Sequence, residues 1–200
     1  VCGFDAARKL AILSSIGFRA NVTFDDVLVE GIEKIDKSDI QYAKDMGYTI
    51  KLLTVALRQE NGIALNVYPA FLPDNHPLSS VKGAYNAIYV TGNIVDDVMF
   101  YGRGAGALPT ASAVMGDVIS TAQHILNGST GTGMIMTDTK RIPFYSSLKL
   151  QNSYYFRLDV DDVTGVLSQI AAAFAENDIR ICEVVQKRKT KGLAELVLIT

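Results

Sequence analysis

The chain has 200 residues, 48% of them hydrophobic, and 19 basic residues nearly balance 21 acidic ones, for a formal net charge of -2. This length suits one large domain or two small ones, and the balanced charge argues against a nucleic-acid partner or a polybasic membrane surface. No apolar run approaches the roughly 18 residues of a membrane-spanning helix, so we expect no membrane partner.

The first predicted element is a helix from Asp5 to Ile16, inside the stretch GFDAARKLAIL. Asp5 and Lys9 are four residues apart, so they share one face of that helix. An exposed i,i+4 ion pair, which adds little to stability, explains this spacing. A carboxylate and an amine held together also suit an active site, and the residues alone leave both interpretations open.

The next elements are a helix and two hairpins. The second helix is predicted from Ser38 to Met46, with Ser38 as N-cap and Gly47 as C-cap. The runs YTIKLLTVALRQE and IALNVYPAFL flank the turn-prone Asn61-Gly62 and predict an antiparallel hairpin, and AYNAIYVTGN with DDVMFYG predicts another. The first domain is therefore predicted to be α+β, with a mixed or antiparallel sheet covered by helices on one face.

A glycine-rich loop follows in YGRGAGALPTASAVMGDVIS, where a strand runs into a helix with Pro109 near its first position. Glycines there would let a phosphate or a nicotinamide approach the backbone N–H groups of the helix N-terminus. A complete dinucleotide fingerprint needs a second strand about 20 residues later, and here the helix runs on to Leu126. A tight turn with close backbone packing explains the same glycines.

Residues 128–152 are rich in Gly, Ser and Thr and are predicted to form a linker with one short strand, between domains 1–127 and 153–200. The second domain is predicted to have β-α-β-β order: a strand from Tyr154 to Val160, a turn at Gly165, an apolar helix and two strands. The KRKTKG run between those strands is assigned to a solvated hairpin tip. The turn at Gly165 exposes N–H groups that suit a carboxylate ligand.

Candidate metal ligands are sparse. Cys2 and Cys182 match no metal or redox spacing, and Cys182 lies in the strand-like IRICEVV, so we expect reduced thiols in a cytoplasmic protein. His76 lies among turn residues and His124 near a helix end, and neither has a partner cluster. No metal site is expected.

Five stretches, GFDAARKLAIL, VEGIEKID, AKDMGYTIKLL, NAIYVTG and GRGAGALPTASAVMGDVI, occur in the order and at about the spacing found in homoserine dehydrogenases. Residues 1–127 thus resemble that family's substrate-binding and dimerisation domain. The family interconverts L-aspartate 4-semialdehyde and L-homoserine with NADP or NAD, in threonine, methionine and isoleucine biosynthesis. The resemblance implies that Lys9 is the proton donor, that Asp5 holds Lys9 or the substrate's amino group, and that Gly104, Ala105 and Gly106 line the nicotinamide.

The resemblance also sets expectations about what lies outside these residues. The family's N-terminal nucleotide-binding domain is not recognisable here, so we expect a fragment that is inactive alone. Residues 153–200 resemble the start of a ferredoxin-like ACT domain, a small-molecule sensor that in this family usually binds threonine. A homodimer or a higher homo-oligomer is expected. The alternative function is a non-catalytic amino-acid-binding or dimerisation module.

Overall fold

The computed structural model describes residues 2–129, 142–145, 151–188 and 192–200. Most of the predicted linker and the centre of the KRKTKG run lie outside the described residues. The chain divides into two compact units, residues 1–147 and residues 148–200, and both helical and strand structure is described in each. The α+β class is confirmed, whereas the roles assigned to domains 1–127 and 153–200 stay predictions.

The described part of the first unit contains three helices, α1 (Phe4–Phe18), α2 (Lys37–Asp45) and α3 (Ala107–Leu126). Its strands are β1 (Leu28–Val29), β2 (Tyr48–Gln59), β3 (Gly62–Pro73), β4 (Tyr85–Gly92) and β5 (Asp96–Arg103). One sheet has the order β1-β3-β2, with β1 parallel and β2 antiparallel to β3, while β4 and β5 form a separate antiparallel pair. Both predicted hairpins are confirmed.

The β2–β3 hairpin turns one residue earlier than the sequence predicts. Gln59 pairs with Gly62, so Glu60 and Asn61 form the turn. Gly62 has a φ of 150°, and a Cβ at this position would overlap the carbonyl oxygen of Pro143. Glycine is required here because the segment 142–145 runs directly beside the start of β3, where the N–H of Ile63 donates to that carbonyl over 3.0 Å.

The start of α2 corrects the sequence prediction. The N-cap is Asp36 and not Ser38: the Asp36 carboxylate accepts from the N–H groups of Ser38 and Asp39 over 2.7 and 3.1 Å. The Asp39 carboxylate in turn accepts from the N–H of Asp36, which completes a capping box. A carboxylate at 36 satisfies two unpaired donors of the first turn, so the helix begins before Ser38. The C-cap is Met46 and not Gly47, which follows it with a φ of 78°, the left-handed conformation in which a glycine ends a helix.

The apolar face of α1 forms the core of the first unit against the β1-β3-β2 sheet. Its buried residues recur at the i, i+3, i+4 spacing of a helix that packs through one stripe. The buried cluster contains Ala7, Leu10, Ala11, Ala20, Val22, Val27, Ile63, Leu65 and Val67. Burying side chains of this kind contributes about 1.5–3 kcal/mol for each large one. The polar face of the same helix therefore points away from the sheet.

The second unit consists of β6 (Tyr155–Asp161), α4 (Val166–Glu176), β7 (Glu183–Arg188) and β8 (Leu193–Ile199) in its described part. Strand β8 lies between β6 and β7 and is antiparallel to both, which is the arrangement of a split β-α-β motif. Cys182 was predicted to lie in a strand but precedes β7 by one residue; its N–H nevertheless donates to the carbonyl of Ile199 over 2.7 Å. None of the described helices is long and apolar enough to cross a membrane.

Candidate active site

The position of α1 is fixed at its first residue by a glycine. Gly3 is the N-cap and has a φ of 84°, a conformation that L side chains rarely adopt. A Cβ there would lie 3.0 Å from Val29 Cγ1 and 3.1 Å from Val67 Cγ1. The helix can therefore start directly against β1 and β3, and this contact sets the location of the residues in its first two turns.

Asp5 and Lys9 lie on the outer face of those two turns and contact each other. Lys9 Nζ is 2.8 Å from Asp5 Oδ2, and the two side chains are 65% and 83% exposed, respectively. The hydrogen bond from Lys9, together with its charge, lowers the pKa of the Asp5 carboxyl. Asp5 is therefore ionised at neutral pH, and the pair presents an accessible ammonium group that is already oriented.

Arg8 forms no ion pair with Asp5, although its charge adds a smaller contribution to the lowering of the Asp5 pKa. Its guanidinium lies 5.4 Å from the centre of the Phe24 ring, which packs edge-on against Phe4 at a centroid distance of 5.9 Å. The sequence places Arg8 about 100° around the helix from Lys9, and the structure shows what it contacts there. These aromatic contacts were not found from the sequence, because Phe4 and Phe24 are 20 residues apart.

The glycine loop joins β5 to α3. The N–H of Gly104 donates to the carbonyl of Ala84 over 3.1 Å, which extends the β4–β5 pairing into the loop. Gly106 is the N-cap of α3 with φ 125° and ψ 152°, a region that only glycine occupies readily. The first turn of a helix leaves N–H groups without partners inside the helix. The loop thus combines two residues without a Cβ with the backbone donors at the start of α3.

The two halves of the candidate site are carried by different parts of the first unit. Asp5 and Lys9 lie on a helix that packs on the β1-β3-β2 sheet, whereas Gly104, Ala105 and Gly106 follow the β4–β5 pair. Across the described residues, no hydrogen bond or ion pair joins the two groups. Their common role is a prediction from the family resemblance.

The helix that begins at the glycine loop is apolar and exposed. No residue of α3 is buried, and Leu108 and Leu126 at its two ends are 84% and 85% exposed. Val114, Met115, Val118 and Ile119 between them are each more than half exposed. An exposed apolar surface of this extent is typical of a contact with another protein surface.

Strands β4 and β5 carry a polar cluster that the sequence did not reveal. The Asp97 carboxylate accepts a hydrogen bond from Thr91 Oγ1 over 2.7 Å, and its hydrogen bond with Tyr89 raises the pKa of that phenol. The His76 ring packs against Tyr89 at 5.2 Å, and its Nδ1 accepts from the N–H of Leu78. His76 therefore caps the 3₁₀ turn that follows it. In the described ranges, no three His, Cys, Asp or Glu side chains are grouped as metal ligands.

The second unit contains a cavity of about 210 Å³ at the turn between β6 and α4. Gly165, the N-cap of α4, has a φ of 95°. The cavity is lined by Val160, Val163, Thr164, Gly165, Val166, Leu167, Gln186 and Leu196. It lies at the turn for which the sequence predicts N–H groups suited to a carboxylate.

Comparisons with known proteins agree with the resemblance. The family model described as homoserine dehydrogenase matches residues 1–119. The homoserine dehydrogenase from Bacillus subtilis is 39% identical over 99% of this chain, which covers 46% of that enzyme. The one from Helicobacter pylori is 41% identical over 92% of this chain, which covers 43% of that enzyme. The crystal structure of the homoserine dehydrogenase from Thiobacillus denitrificans superposes with a TM-score of 0.90 at 34% identity, over 100% of this chain and 46% of that one. The crystal structure of the Staphylococcus aureus homoserine dehydrogenase at pH 6.0 superposes with a TM-score of 0.70 at 28% identity, over 99% of this chain and 48% of that one. The chain thus spans about half the length of these relatives.

Proposed function

The chain belongs to the homoserine dehydrogenase family, and on that basis we propose that the native protein interconverts L-aspartate 4-semialdehyde and L-homoserine with NADP or NAD. The observation that carries this proposal is the exposed Lys9 ammonium, held 2.8 Å from Asp5 on the first helix of the matched region. A homoserine dehydrogenase from Bacillus subtilis matches this chain over nearly its whole length.

Lys9 has the chemistry that the reaction needs. Hydride addition to the aldehyde carbon leaves negative charge on the carbonyl oxygen, and an ammonium near that oxygen stabilises the charge and supplies the proton. In the opposite direction, the same group takes up the hydroxyl proton as hydride leaves. Asp5 orients Lys9, or holds the ammonium group of the substrate, because it is a fixed anion one helical turn away.

The glycine loop fits the nicotinamide end of the cofactor, whose chemistry is to donate or accept the hydride. An L side chain at position 104 would require the neighbouring Asn86 side chain to move. An L side chain at position 106 would strain the backbone, because Gly106 has a φ of 125°. The backbone groups of the loop therefore carry no Cβ of their own at either glycine, and a flat ring would approach them beside the Asn86 side chain. We assign cofactor binding to Gly104, Ala105 and Gly106.

Assays of the native protein and of the isolated 200 residues test this proposal together. We expect the native protein to oxidise homoserine and to produce NADPH or NADH, which is measured by its absorbance. The described sheets contain no dinucleotide-binding β-α-β unit, so residues 1–200 expressed alone should bind cofactor weakly and show no turnover. Turnover by the isolated residues would contradict the second expectation, and inactivity of the native protein would contradict the function.

We also propose that the native protein is a homodimer or a higher homo-oligomer. Leu28 and Leu57, on β1 and β2, are 60% and 39% exposed, and strands 51–72 are more apolar than a solvent-facing sheet requires. A two-fold dimer is the commonest way to cover such a face. Sedimentation velocity at tens of micromolar protein should give a dimer or larger species, and a monomer would contradict this proposal.

The cavity at Gly165 supports a second candidate function, binding of a regulatory amino acid such as threonine by an ACT-like unit. A volume of about 210 Å³ suits a small ligand, and the start of α4 offers N–H donors to its carboxylate. Isothermal titration of the native protein with L-threonine should show saturable heat, and L-lysine should not, because its side chain is longer and charged. Absence of threonine binding would remove this candidate and leave the catalytic proposal intact.

A further inference from the structure

The side chain of Asn86 lies directly against the glycine loop. Asn86 is on β4, where it pairs with Gly102 of β5, two residues before the loop. A Cβ built on Gly104 would overlap Asn86 Nδ2 and would lie 2.5 Å from Asn86 Cγ. The carboxamide of Asn86 therefore occupies the space that any other residue at position 104 would fill.

A side chain at position 104 would therefore require Asn86 to move. Positive φ values occur at eight described glycines, including Gly106 with 125°, but Gly104 is not among them. The φ at 104 lies outside the left-handed region, and the three atoms nearest to a Cβ built there all belong to the Asn86 side chain. The two glycines of the loop thus have different structural roles. Gly106 adopts the backbone conformation of the turn before α3, and Gly104 leaves room for the Asn86 side chain.

The Asn86 carboxamide keeps its hydrogen-bonding groups available. Within the described part of the chain it has no hydrogen-bond partner, and it is exposed. The neighbouring aromatic and basic side chains bind one another instead: Tyr85 stacks on Tyr101 at 4.9 Å, and the Arg103 guanidinium lies 5.2 Å from the Tyr85 ring. A donor and an acceptor therefore lie beside the loop, on a side chain carried by β4.

We propose that Asn86 binds the carboxamide of the nicotinamide ring, which goes beyond the family assignment and rests on the proposed function. An asparagine amide and a nicotinamide amide are complementary, since each offers one carbonyl acceptor and one N–H donor to the other. Paired hydrogen bonds of this kind fix the rotation of the ring about its glycosidic bond. Asn86 then helps to determine which face of the ring meets the substrate.

The test measures cofactor affinity in the native protein, with NADP or NAD according to which it binds more tightly. Loss of one neutral hydrogen bond costs about 0.5–1.5 kcal/mol, so Asn86→Ala, which removes both bonds of the pair, should raise Kd roughly 5- to 160-fold. The 3-acetylpyridine analogue has a methyl group in place of the amide nitrogen, loses one of the two bonds, and should bind wild type roughly 2- to 12-fold more weakly. The Asn86→Ala variant should bind the natural cofactor and its 3-acetylpyridine analogue with equal affinity.

Asn93→Ala is the matched control, because Asn93 is also exposed but lies at the opposite end of the same hairpin. It should leave both dissociation constants unchanged. Gly104→Ala should reproduce the effect of Asn86→Ala by displacing the carboxamide, and the double variant should show no further loss. Circular dichroism of each variant establishes that it is folded.

Two results would overturn the inference and are distinguishable from each other. If wild type binds the cofactor and Asn86→Ala still discriminates between nicotinamide and acetylpyridine, Asn86 has no contact with the carboxamide and the proposed function stands. If wild type neither binds a nicotinamide cofactor nor oxidises homoserine, the proposed function fails and this inference fails with it.

Discussion

Lys9→Ala in the native protein should lower kcat for homoserine oxidation about 10²–10⁴-fold, the range expected when a general acid or base is lost. The lysine is 65% exposed and, among the described residues, forms its ion pair with Asp5, so its removal should not disturb the core. Steady-state kinetics by absorbance of the reduced cofactor measures the effect. Thermal denaturation should show a transition close to that of wild type.

Lys44→Ala is a matched control for Lys9→Ala. Lys44 is an exposed lysine in the last turn of α2, on a helix that carries no proposed site residue. Its replacement should leave kcat and KM unchanged. Equal kinetics for Lys9→Ala and Lys44→Ala would show that Lys9 forms only a surface ion pair.

Lys9→Arg and Asp5→Asn separate the roles within the pair. A guanidinium retains the charge but scarcely releases a proton at neutral pH, so Lys9→Arg should stay impaired if Lys9 is the proton donor. Recovery of turnover in Lys9→Arg would assign Lys9 an electrostatic role only. Asp5→Asn should raise KM if the carboxylate holds the substrate, and should lower kcat alone if it orients Lys9.

Ile63→Ala should destabilise the first unit by about 2–5 kcal/mol, the cost of deleting a large buried aliphatic side chain. Ile63 has no solvent exposure and lies in the cluster between α1 and the β1-β3-β2 sheet. The cavity left behind would be in the layer that supports α1, so cofactor-dependent turnover should fall together with stability. The midpoint of urea denaturation, followed by circular dichroism, measures the change.

Ile94→Ala makes the same chemical change at a site without packing. Ile94 is 88% exposed in the turn between β4 and β5. Its replacement should shift the denaturation midpoint very little, since surface substitutions usually alter stability by less than about 0.5 kcal/mol. If Ile63→Ala were as stable as Ile94→Ala, the core assignment of Ile63 would be wrong.

Local signals in the sequence determined most of the secondary structure. Asn61-Gly62 between two apolar runs predicted the β2–β3 hairpin to within one residue, because a tight turn and the strand alternation beside it need only adjacent residues. The four-residue spacing of Asp5 and Lys9 likewise predicted their contact, which the helix brings to 2.8 Å. The family motifs are also local, and the match over residues 1–119 confirms the family.

Tertiary structure decided what depends on residues that are distant in the chain. The sequence assigned one role to all the loop glycines. Only the pairing of β4 with β5 brings the Asn86 side chain against Gly104 and distinguishes the surroundings of that glycine from those of Gly106. Gly62 is likewise a glycine because Pro143, 81 positions later, passes beside it. Excluded volume acts between whichever atoms the fold places together, and local propensity carries no information about it. The role of a glycine that makes room for a neighbour is therefore visible only once that neighbour is in position.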